Sequence, residues 1–284
     1  MPSIRDALSK ATHRLSQSNN PDNSPALEAK LLLCHLLQRE QSYLYAWPER
    51  PLEETQWSAY QQLVLRRINN EPIAYITGQQ EFWSLTLKVT PATLIPRPET
   101  EQLVELTLHY LRNKKECHIL DLGTGSGAIA AAIASERPNW QISATDYSEQ
   151  ALAIAKKNFK NLQLNNITTY LGSWYKALPT GCQFDIIISN PPYITSNDHH
   201  LQQGDLTSEP ISALASGLDG LDDIRQIIKQ TPQHLKQQGR LILEHGYKQG
   251  AAVRTLLAEE EFRQVKTHQD LSGLDRISGG IRSS

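Results

Sequence analysis

The sequence predicts an α/β fold with a mostly parallel, doubly wound sheet and a small helical domain before it. From about residue 100 onward, apolar runs of strand length alternate with helical patterns, which is typical of a sheet with helices on both faces. A glycine-rich turn at residues 123–127 joins one apolar run to strong helix formers. Residues 1–72 instead show apolar residues at helical spacing. We therefore divide the chain into residues 1–72, 73–95 and 96–284.

The composition indicates a globular protein without a strong charge bias. Hydrophobic residues make up 39% of the 284 residues, charged residues 20%, and the net charge is −2. No broad basic surface is indicated, so direct nucleic-acid binding is not expected. The cysteines at 34, 117 and 182 form no Cys-x-x-Cys pair, and we expect neither a disulfide scaffold nor a metal site. The adjacent His199 and His200 also lack metal-ligand spacing.

The chain shows no signal for export or membrane insertion. Charges interrupt the N-terminal residues early, and no apolar core of signal-peptide length follows them. The longest apolar clusters, such as Leu31–Cys34, are far shorter than a membrane span. We expect a cytoplasmic protein.

The first part, residues 1–72, is predicted to be a small helical bundle. Apolar residues recur at helical spacing from Ile4 to Leu15. Pro25 stands where a second helix would begin, and Ala26–Leu37 is strongly apolar. A third helix is predicted over about 53–68. Basic and acidic residues are equal in number here, so we expect the bundle to bind a protein partner.

The middle part, residues 73–95, is predicted to be a β-hairpin linker between two domains. Leu85, Leu87 and Val89 alternate with polar residues, as in a half-buried strand. Three prolines at 91, 96 and 98 stiffen the chain that follows.

The most informative motif is Asn190-Pro191-Pro192-Tyr193, which follows the apolar run Phe184–Ile188. In open α/β sheets, ligands bind at the carboxyl ends of the strands. The Asn190 side chain and the carbonyl of Pro191 are hydrogen-bond acceptors, and Tyr193 offers a flat aromatic face. This combination suits a planar substrate that carries an –NH2 group. The alternative is an ordinary strand-ending turn, because Asn and Pro are common turn residues.

The glycine-rich turn predicts a nucleotide-like ligand. Residues 117–122 form a predicted buried strand, Gly123-Thr124-Gly125-Ser126-Gly127 follows, and Ala128–Ala134 is a strong helix former. Glycine lets backbone and ligand approach closely. With Asp121 before it, the Gly-x-Gly-x-Gly order resembles the first motif of class I methyltransferases that use S-adenosylmethionine (SAM), in which the loop would wrap a ribose and an amino-acid tail. The alternative is a tight strand-to-helix turn with packing glycines.

Two further positions fit a nucleoside ligand. Asp146 directly follows the predicted strand 141–145 and could accept hydrogen bonds from ribose hydroxyls. Alternatively, it only helps to cap the next helix, which is predicted over about 149–160 with Ser148 as its N-cap. Trp174 follows the predicted strand Ile167–Leu171 and could stack on an adenine, or it could be an ordinary half-buried tryptophan.

Several motifs together resemble the PrmC/HemK family of protein-(glutamine) methyltransferases, which modify peptide chain release factors. The resemblance covers about residues 1–280. Its specific part is the linker, with Glu71-Pro72, Tyr75, Gly78, Glu81-Phe82 and Leu94-Ile95-Pro96-Arg97-Pro98-Glu99-Thr100-Glu101. The glycine turn, Asp146, Trp174 and the Asn190–Tyr193 motif follow in the family's order, as do Glu209-Pro210-x-x-Ala213-Leu214 and Asp219-Gly220-Leu221. The C-terminal Gly279-Gly280-Ile281 departs from the pattern, where Gly-Arg is expected.

The resemblance implies SAM-dependent methylation of the glutamine in the Gly-Gly-Gln motif of class I release factors. It implies Asn190, Pro191 and Tyr193 as catalytic residues, and the whole motif, Pro192 included, as the substrate site. The implied cofactor site comprises Gly123, Thr124, Gly125, Ser126, Gly127, Asp146, Trp174 and Asn190. Three alternatives stay open: a ribosomal-protein glutamine methyltransferase, a nucleic-acid adenine-N6 methyltransferase, and a SAM-binding module that only scaffolds translation factors.

Overall fold

A computed structural model describes residues 1–18, 20 and 24–283 of the chain. These residues form two compact units. The helical unit comprises Met1–Gln79 and His199–Glu209, and the sheet unit comprises Gln80–Asp198 and the chain from Pro210 onward. The segment His199–Glu209 thus belongs to the helical unit, although it follows the Asn190–Tyr193 motif closely in sequence.

The helical unit consists of α1 (Ile4–Ser16), α2 (Pro25–Leu37), α3 (Gln41–Ala46), α4 (Glu54–Ile68) and α5 (Ile73–Thr77). The three helices expected from apolar spacing are confirmed as α1, α2 and α4. Helix α1 begins at a capping box, in which Ser3 and Asp6 exchange hydrogen bonds. The core lies between these helices, where the buried Tyr60 hydroxyl donates to the carbonyl of Ala29 at 2.7 Å.

The hairpin begins later than its predicted range, at β1 (Gln79–Phe82), and returns through β2 (Leu85–Lys88). Residues 73–77, expected to belong to the hairpin, instead form α5, which ends at Gly78 with a φ of 72°. The tight turn places Trp83 and Ser84 at positive φ. The predicted alternation is confirmed, since Leu87 and Val89 are fully buried while Thr86 is exposed.

The sheet unit alternates strands and helices as the sequence predicts. Its elements after the hairpin are α6 (Glu101–Tyr110), β3 (His118–Leu122), α7 (Ala128–Glu136), β4 (Gln141–Asp146), α8 (Glu149–Asn161), β5 (Ile167–Leu171), β6 (Phe184–Ser189), α9 (Asp222–Gln230), β7 (Leu235–Glu244), α10 (Gly250–Glu259), β8 (Arg263–Gln269) and β9 (Asp275–Ile281). The run Ala128–Ala134 is buried on all sides, which explains why small apolar residues occupy nearly the whole helix.

The strand order is β5-β4-β3-β6-β7-β9-β8 in the described residues. Pairs from β5 to β7 are parallel, and β9 pairs antiparallel with both β7 and β8. The mostly parallel sheet is therefore confirmed. The chain order reverses between β3 and β6, and in such sheets the ligand crevice opens at the carboxyl ends of those strands. The glycine turn follows β3, and the Asn190 loop follows β6.

The atypical C-terminal glycines lie inside β9. A Cβ on Gly279 would overlap the carbonyl oxygen of Leu241 on β7, and one on Gly280 would lie 2.9 Å from the Cβ of Phe262. Both glycines thus allow β9 to approach its neighbours closely, and the sheet closes without the expected Gly-Arg pair. Among the described residues, no helix combines the length and apolar character needed to cross a membrane.

Candidate active site

A cavity of about 300 Å³ opens in the sheet unit at the carboxyl ends of β3, β4 and β6. This volume lies within the range of small-molecule sites. Six of the predicted site residues line it: Gly123, Gly125, Asp146, Trp174, Asn190 and Pro192. The other five do not line it, although they belong to the same two loops: Thr124, Ser126, Gly127, Pro191 and Tyr193.

The glycine turn has the backbone that its sequence requires. Gly125 has a φ of 57°, and a Cβ placed there would find no atom within 4 Å, so this position faces open space. Gly127 has a φ of 84°, and a Cβ placed there would lie 2.6 Å from the ring of Phe159 on α8. One glycine therefore leaves room on the cavity side, and the other allows the turn to pack against a helix.

Two buried side chains hold the turn from behind. The Thr124 hydroxyl donates to Asp121 at 2.6 Å, and burial raises the pKa of that carboxyl to about 7. Asn158 on α8 donates to the carbonyls of Ser126 at 2.8 Å and Lys88 at 3.0 Å, and it accepts from the Lys88 N–H at 2.8 Å. Asn158 therefore joins the hairpin to the glycine turn, a role that its position in an ordinary helical sequence did not reveal.

Asp146 lies where β4 ends and faces the cavity. One carboxylate oxygen accepts from the N–H of Gly125 and the other from the N–H of Ser148, both at 2.8 Å. Each carboxylate oxygen has two acceptor sites, so both retain capacity for a ligand hydroxyl. Burial raises the pKa of Asp146, against the lowering effect of these backbone donors. Ser148 caps α8 as predicted, through the N–H of Ala151.

Trp174 is half-buried beside the glycine turn. Its ring would lie 3.2 Å from a Cβ on Gly123, so a glycine is needed there for the two to meet. The indole N–H donates to Asp223 on α9 at 3.2 Å, and Asp223 also accepts from the Ser216 hydroxyl at 2.6 Å. The ring is therefore held by its edge, and Trp174 forms part of the cavity wall.

The loop after β6 divides its roles between the cavity and the interior. Pro191 is buried, and Pro192 lines the cavity. The Asn190 side-chain N–H donates to the Thr100 hydroxyl at 3.2 Å, whereas its carbonyl oxygen makes no hydrogen bond within the described residues. The same holds for the Pro191 carbonyl. Two acceptors of this loop thus have no partner among the described residues, and Asn190 carries the one that lies at the cavity.

The hydroxyl of Tyr193 makes a hydrogen bond in the interior. It donates to Glu244, at the end of β7, at 3.2 Å. Glu244 is 1% exposed, and it also accepts from the Thr100 hydroxyl at 2.8 Å. Burial raises the pKa of Glu244 to about 7, while Thr100 and Arg276 act in the opposite direction. Glu244 went unpredicted, because a glutamate after an apolar strand carries no spacing signal by itself.

Further lining residues come from segments to which the motif analysis assigned no role. They include Pro91, Ala92, Thr93 and Leu94 after the hairpin, and Pro210, Ser212 and Ala213. The motifs that resemble the family include residues of both segments, and this resemblance was the only indication in the sequence that they matter. One cavity thus combines the glycine turn, an acidic residue at a strand end and a half-exposed tryptophan. This combination suits a nucleoside with an amino-acid tail, and the Asn190 loop adds acceptors for an –NH2 group.

Two family models match this chain. One is described as PrmC N-terminal domain and matches residues 6–78, and the other, Methyltransferase small domain, matches residues 100–218. The release factor glutamine methyltransferase of Vibrio cholerae is 47% identical over 277 residues, which cover 98% of this chain and 96% of the relative. That of Pseudomonas aeruginosa is 49% identical over 267 residues, covering 94% and 96%.

Solved structures share the fold at low sequence identity. A methyltransferase from Pyrococcus furiosus has a TM-score of 0.53 and 19% identity, and the match covers 80% of this chain and all of that one. The T. thermophilus 16S rRNA N2 G1207 methyltransferase, solved with AdoMet and guanosine, has a TM-score of 0.54 and 17% identity, covering 72% and 50%. These likenesses show a methyltransferase fold.

Proposed function

Because the chain belongs to the release factor glutamine methyltransferase family, we propose that it methylates the side-chain amide nitrogen of a glutamine in a peptide chain release factor, with SAM as methyl donor. Within the release factor, the substrate is the glutamine of the Gly-Gly-Gln motif, which class I release factors carry. The observation that carries the proposal is Asn190, which lines a cavity suited to a nucleoside ligand and whose side-chain oxygen makes no hydrogen bond within the described residues. The protein acts in the cytoplasm, where release factors work.

The residues around the glycine turn would hold the donor. Gly125 would leave room along the turn, and Gly123 lets the Trp174 ring approach it. Asp146 would accept hydrogen bonds from the ribose hydroxyls, and Trp174 would stack on the adenine. Thr124, Ser126 and Gly127 support the turn from behind. When bound, SAM supplies an electrophilic methyl group on a sulfonium sulfur, which keeps the electron pair of the broken C–S bond as the N–C bond forms.

The Asn190 loop orients the substrate amide. The side-chain oxygen of Asn190 and the carbonyl of Pro191 each accept one N–H of the glutamine, which aims the nitrogen at the methyl group. Pro192 and Tyr193 give the loop its shape. An amide nitrogen is a poor nucleophile, and positive charge builds on it during transfer, so both acceptors bind the transition state more tightly than the ground state. The nitrogen then loses one proton to water.

Substrate choice depends on a second surface. A glutamine tip offers little area for recognition, whereas a rigid helical domain can contact a partner protein broadly. We therefore assign residues 1–72, together with α5 and His199–Glu209 of the same unit, to recognition of the release factor. The hairpin and the chain up to residue 95 form the linker, and the rest of residues 96–284 carries out methyl transfer. The balanced charge of the chain supports a protein partner over direct nucleic-acid binding.

Transfer of tritiated methyl groups to purified substrates tests the proposal. The enzyme should label an intact release factor, and should leave ribosomal proteins and DNA unlabelled. Label on ribosomal protein or DNA alone would favour the corresponding alternative. Asn190→Ala should lower kcat by roughly 10²–10³-fold while SAM affinity is largely kept, because one transition-state acceptor is lost. A variant with near wild-type turnover would refute the role of Asn190.

A further inference from the structure

We propose that Thr100 and Glu244 are positioning residues that set the orientation of the Asn190 side-chain amide, so that its oxygen, and not its nitrogen, faces the substrate. The inference rests on the proposed function and assigns roles to two residues outside the Asn190–Tyr193 motif. All of these residues belong to the sheet unit.

The geometry is a chain of three side chains from three separate parts of the sequence. Asn190 Nδ2 lies 3.2 Å from Thr100 Oγ1, and Thr100 Oγ1 lies 2.8 Å from Glu244 Oε2. Thr100 is 4% exposed and Glu244 is 1% exposed, so water does not replace these partners. The other oxygen of Glu244 accepts from the Tyr193 hydroxyl at 3.2 Å.

Counting protons along this chain decides the direction of every bond. An ionised carboxylate only accepts, and a threonine hydroxyl has one proton to donate. Thr100 gives that proton to Glu244 and can then only accept from its other neighbour. The Asn190 group that faces Thr100 must therefore be the –NH2 group. Its carbonyl oxygen is turned the other way and stays available as an acceptor.

Protonation of Glu244 removes this constraint. A neutral carboxyl can donate to Thr100, which frees the threonine proton to bond the Asn190 carbonyl oxygen. The Asn190 amide can then turn over and present its N–H groups to the substrate –NH2 group, which is the wrong polarity. An acceptor needed in the transition state is lost without any change in shape.

The charged groups around Glu244 act on its pKa in opposite directions. Arg276 on β9 favours the ionised form, whereas Glu99, one residue before Thr100, disfavours it. Arg276 also forms an ion pair with Asp270 at 3.1 Å. The charge of Arg97 acts to lower the pKa of the neighbouring Tyr193 hydroxyl. Burial outweighs these charges and places the pKa of Glu244 at about 7, so ionisation changes over a narrow range around neutral pH.

The test compares matched variants of the full chain, with tritiated SAM and an intact release factor as substrates. Thr100→Val keeps the size of the side chain and removes the relay, and should lower kcat by roughly 10–100-fold. Its KM for SAM should stay unchanged, since the donor site is intact. Thr100→Ser keeps the hydroxyl and should restore most of the rate. Equal kcat values for the Val and Ser variants would overturn the inference.

The pH profile supplies a second readout that a purely structural role would not move. Wild-type kcat should fall as pH drops through about 7, because protonated Glu244 releases the relay. In Glu244→Gln this acidic limb should be absent and kcat low throughout. A wild-type kcat that is flat from about pH 5.5 to about pH 8 overturns the inference even if a variant does not fold.

The two proposals fail in different ways. Wild-type protein that binds SAM in calorimetry yet labels no release factor would refute the proposed function. Wild-type protein that labels the release factor, together with a fully active Thr100→Val variant, would refute only the positioning role.

Discussion

Arg67 on α4 donates to Glu28 on α2 across 2.9 Å, and both side chains are buried inside the helical unit. The other guanidinium nitrogen bonds Asp205, which belongs to the His199–Glu209 segment. One arginine therefore joins two helices of the bundle to a stretch of chain that lies more than a hundred residues further on. That segment follows the Asn190 loop in sequence, and the ion pair holds it within the helical unit.

The first prediction concerns this buried arginine. Arg67→Ala should lower the free energy of unfolding by about 3–5 kcal/mol, because two carboxylates lose their buried partner. The matched control is Arg66→Ala, which removes a partly exposed pair with Glu71 and should cost about 1 kcal/mol. Urea unfolding of both variants measures the difference, and equal losses would show that the buried pair has no special weight.

A second prediction separates packing from backbone strain in the glycine turn. Gly127→Ala and Gly181→Ala both place alanine at positive φ, 84° and 81°. Only the first also pushes a Cβ into Phe159. Gly127→Ala should therefore cost about 1–3 kcal/mol more in unfolding free energy than Gly181→Ala, and it should also weaken SAM binding. Thermal unfolding with and without SAM checks both effects, and indistinguishable variants would contradict the packing argument.

The third prediction tests Asp146 as a ligand-binding residue. Asp146→Ala should raise the dissociation constant of SAM roughly tenfold to hundredfold, which corresponds to about 1.5–3 kcal/mol for a charge-assisted hydrogen bond. Ser148→Ala is the control, since it removes the cap of α8 and should cost stability of about 1 kcal/mol with little effect on SAM. Calorimetry on both variants decides between a ribose contact and a purely structural role.

A fourth prediction follows from the buried carboxyl of Glu244. Its folded pKa of about 7 lies above the ordinary value of 4.5, so its contribution to stability is complete below about pH 4.5 and is lost as pH rises through 7. Between these pH values the wild type should lose about 3 kcal/mol of unfolding free energy relative to Glu244→Gln. Asp121 titrates in the same range but is present in both proteins. Urea unfolding at several pH values measures the difference in unfolding free energy between the two proteins. A wild type that becomes more stable relative to Glu244→Gln as pH rises would contradict the prediction.

The last prediction concerns removal of residues 1–72. The truncated protein should bind SAM normally, because every proposed cofactor residue lies in the sheet unit, and should methylate an intact release factor with much lower kcat/KM. It should also be cut by protease within His199–Glu209, which would lose its contacts to Asn20, Arg67 and Asn70. Full catalytic efficiency of the truncated protein would exclude the helical unit from substrate recognition.

Local patterns in the sequence determined most of the elements and the edge at which the cavity opens. Short segments rich in apolar residues led to β3, β4 and β6 within a residue at either end, because strands that are covered on both faces of a parallel sheet are largely apolar. The glycine turn, Asp146 and the Asn190 loop each follow a strand directly. Their meeting at one sheet edge follows from parallel pairing.

Only the tertiary structure decided which of those residues face the cavity and which lie behind it. The sequence predicts that Tyr193 offers its ring to the substrate, and only the structure shows that its hydroxyl donates to the buried Glu244. Several side-chain contacts connect residues that lie dozens of positions apart or more. They are made by Thr100, Asn158, Glu244 and the Arg67–Asp205 pair. No local spacing encodes such contacts, because they depend on how the packed elements bring distant side chains together, and packing is a property of the whole fold.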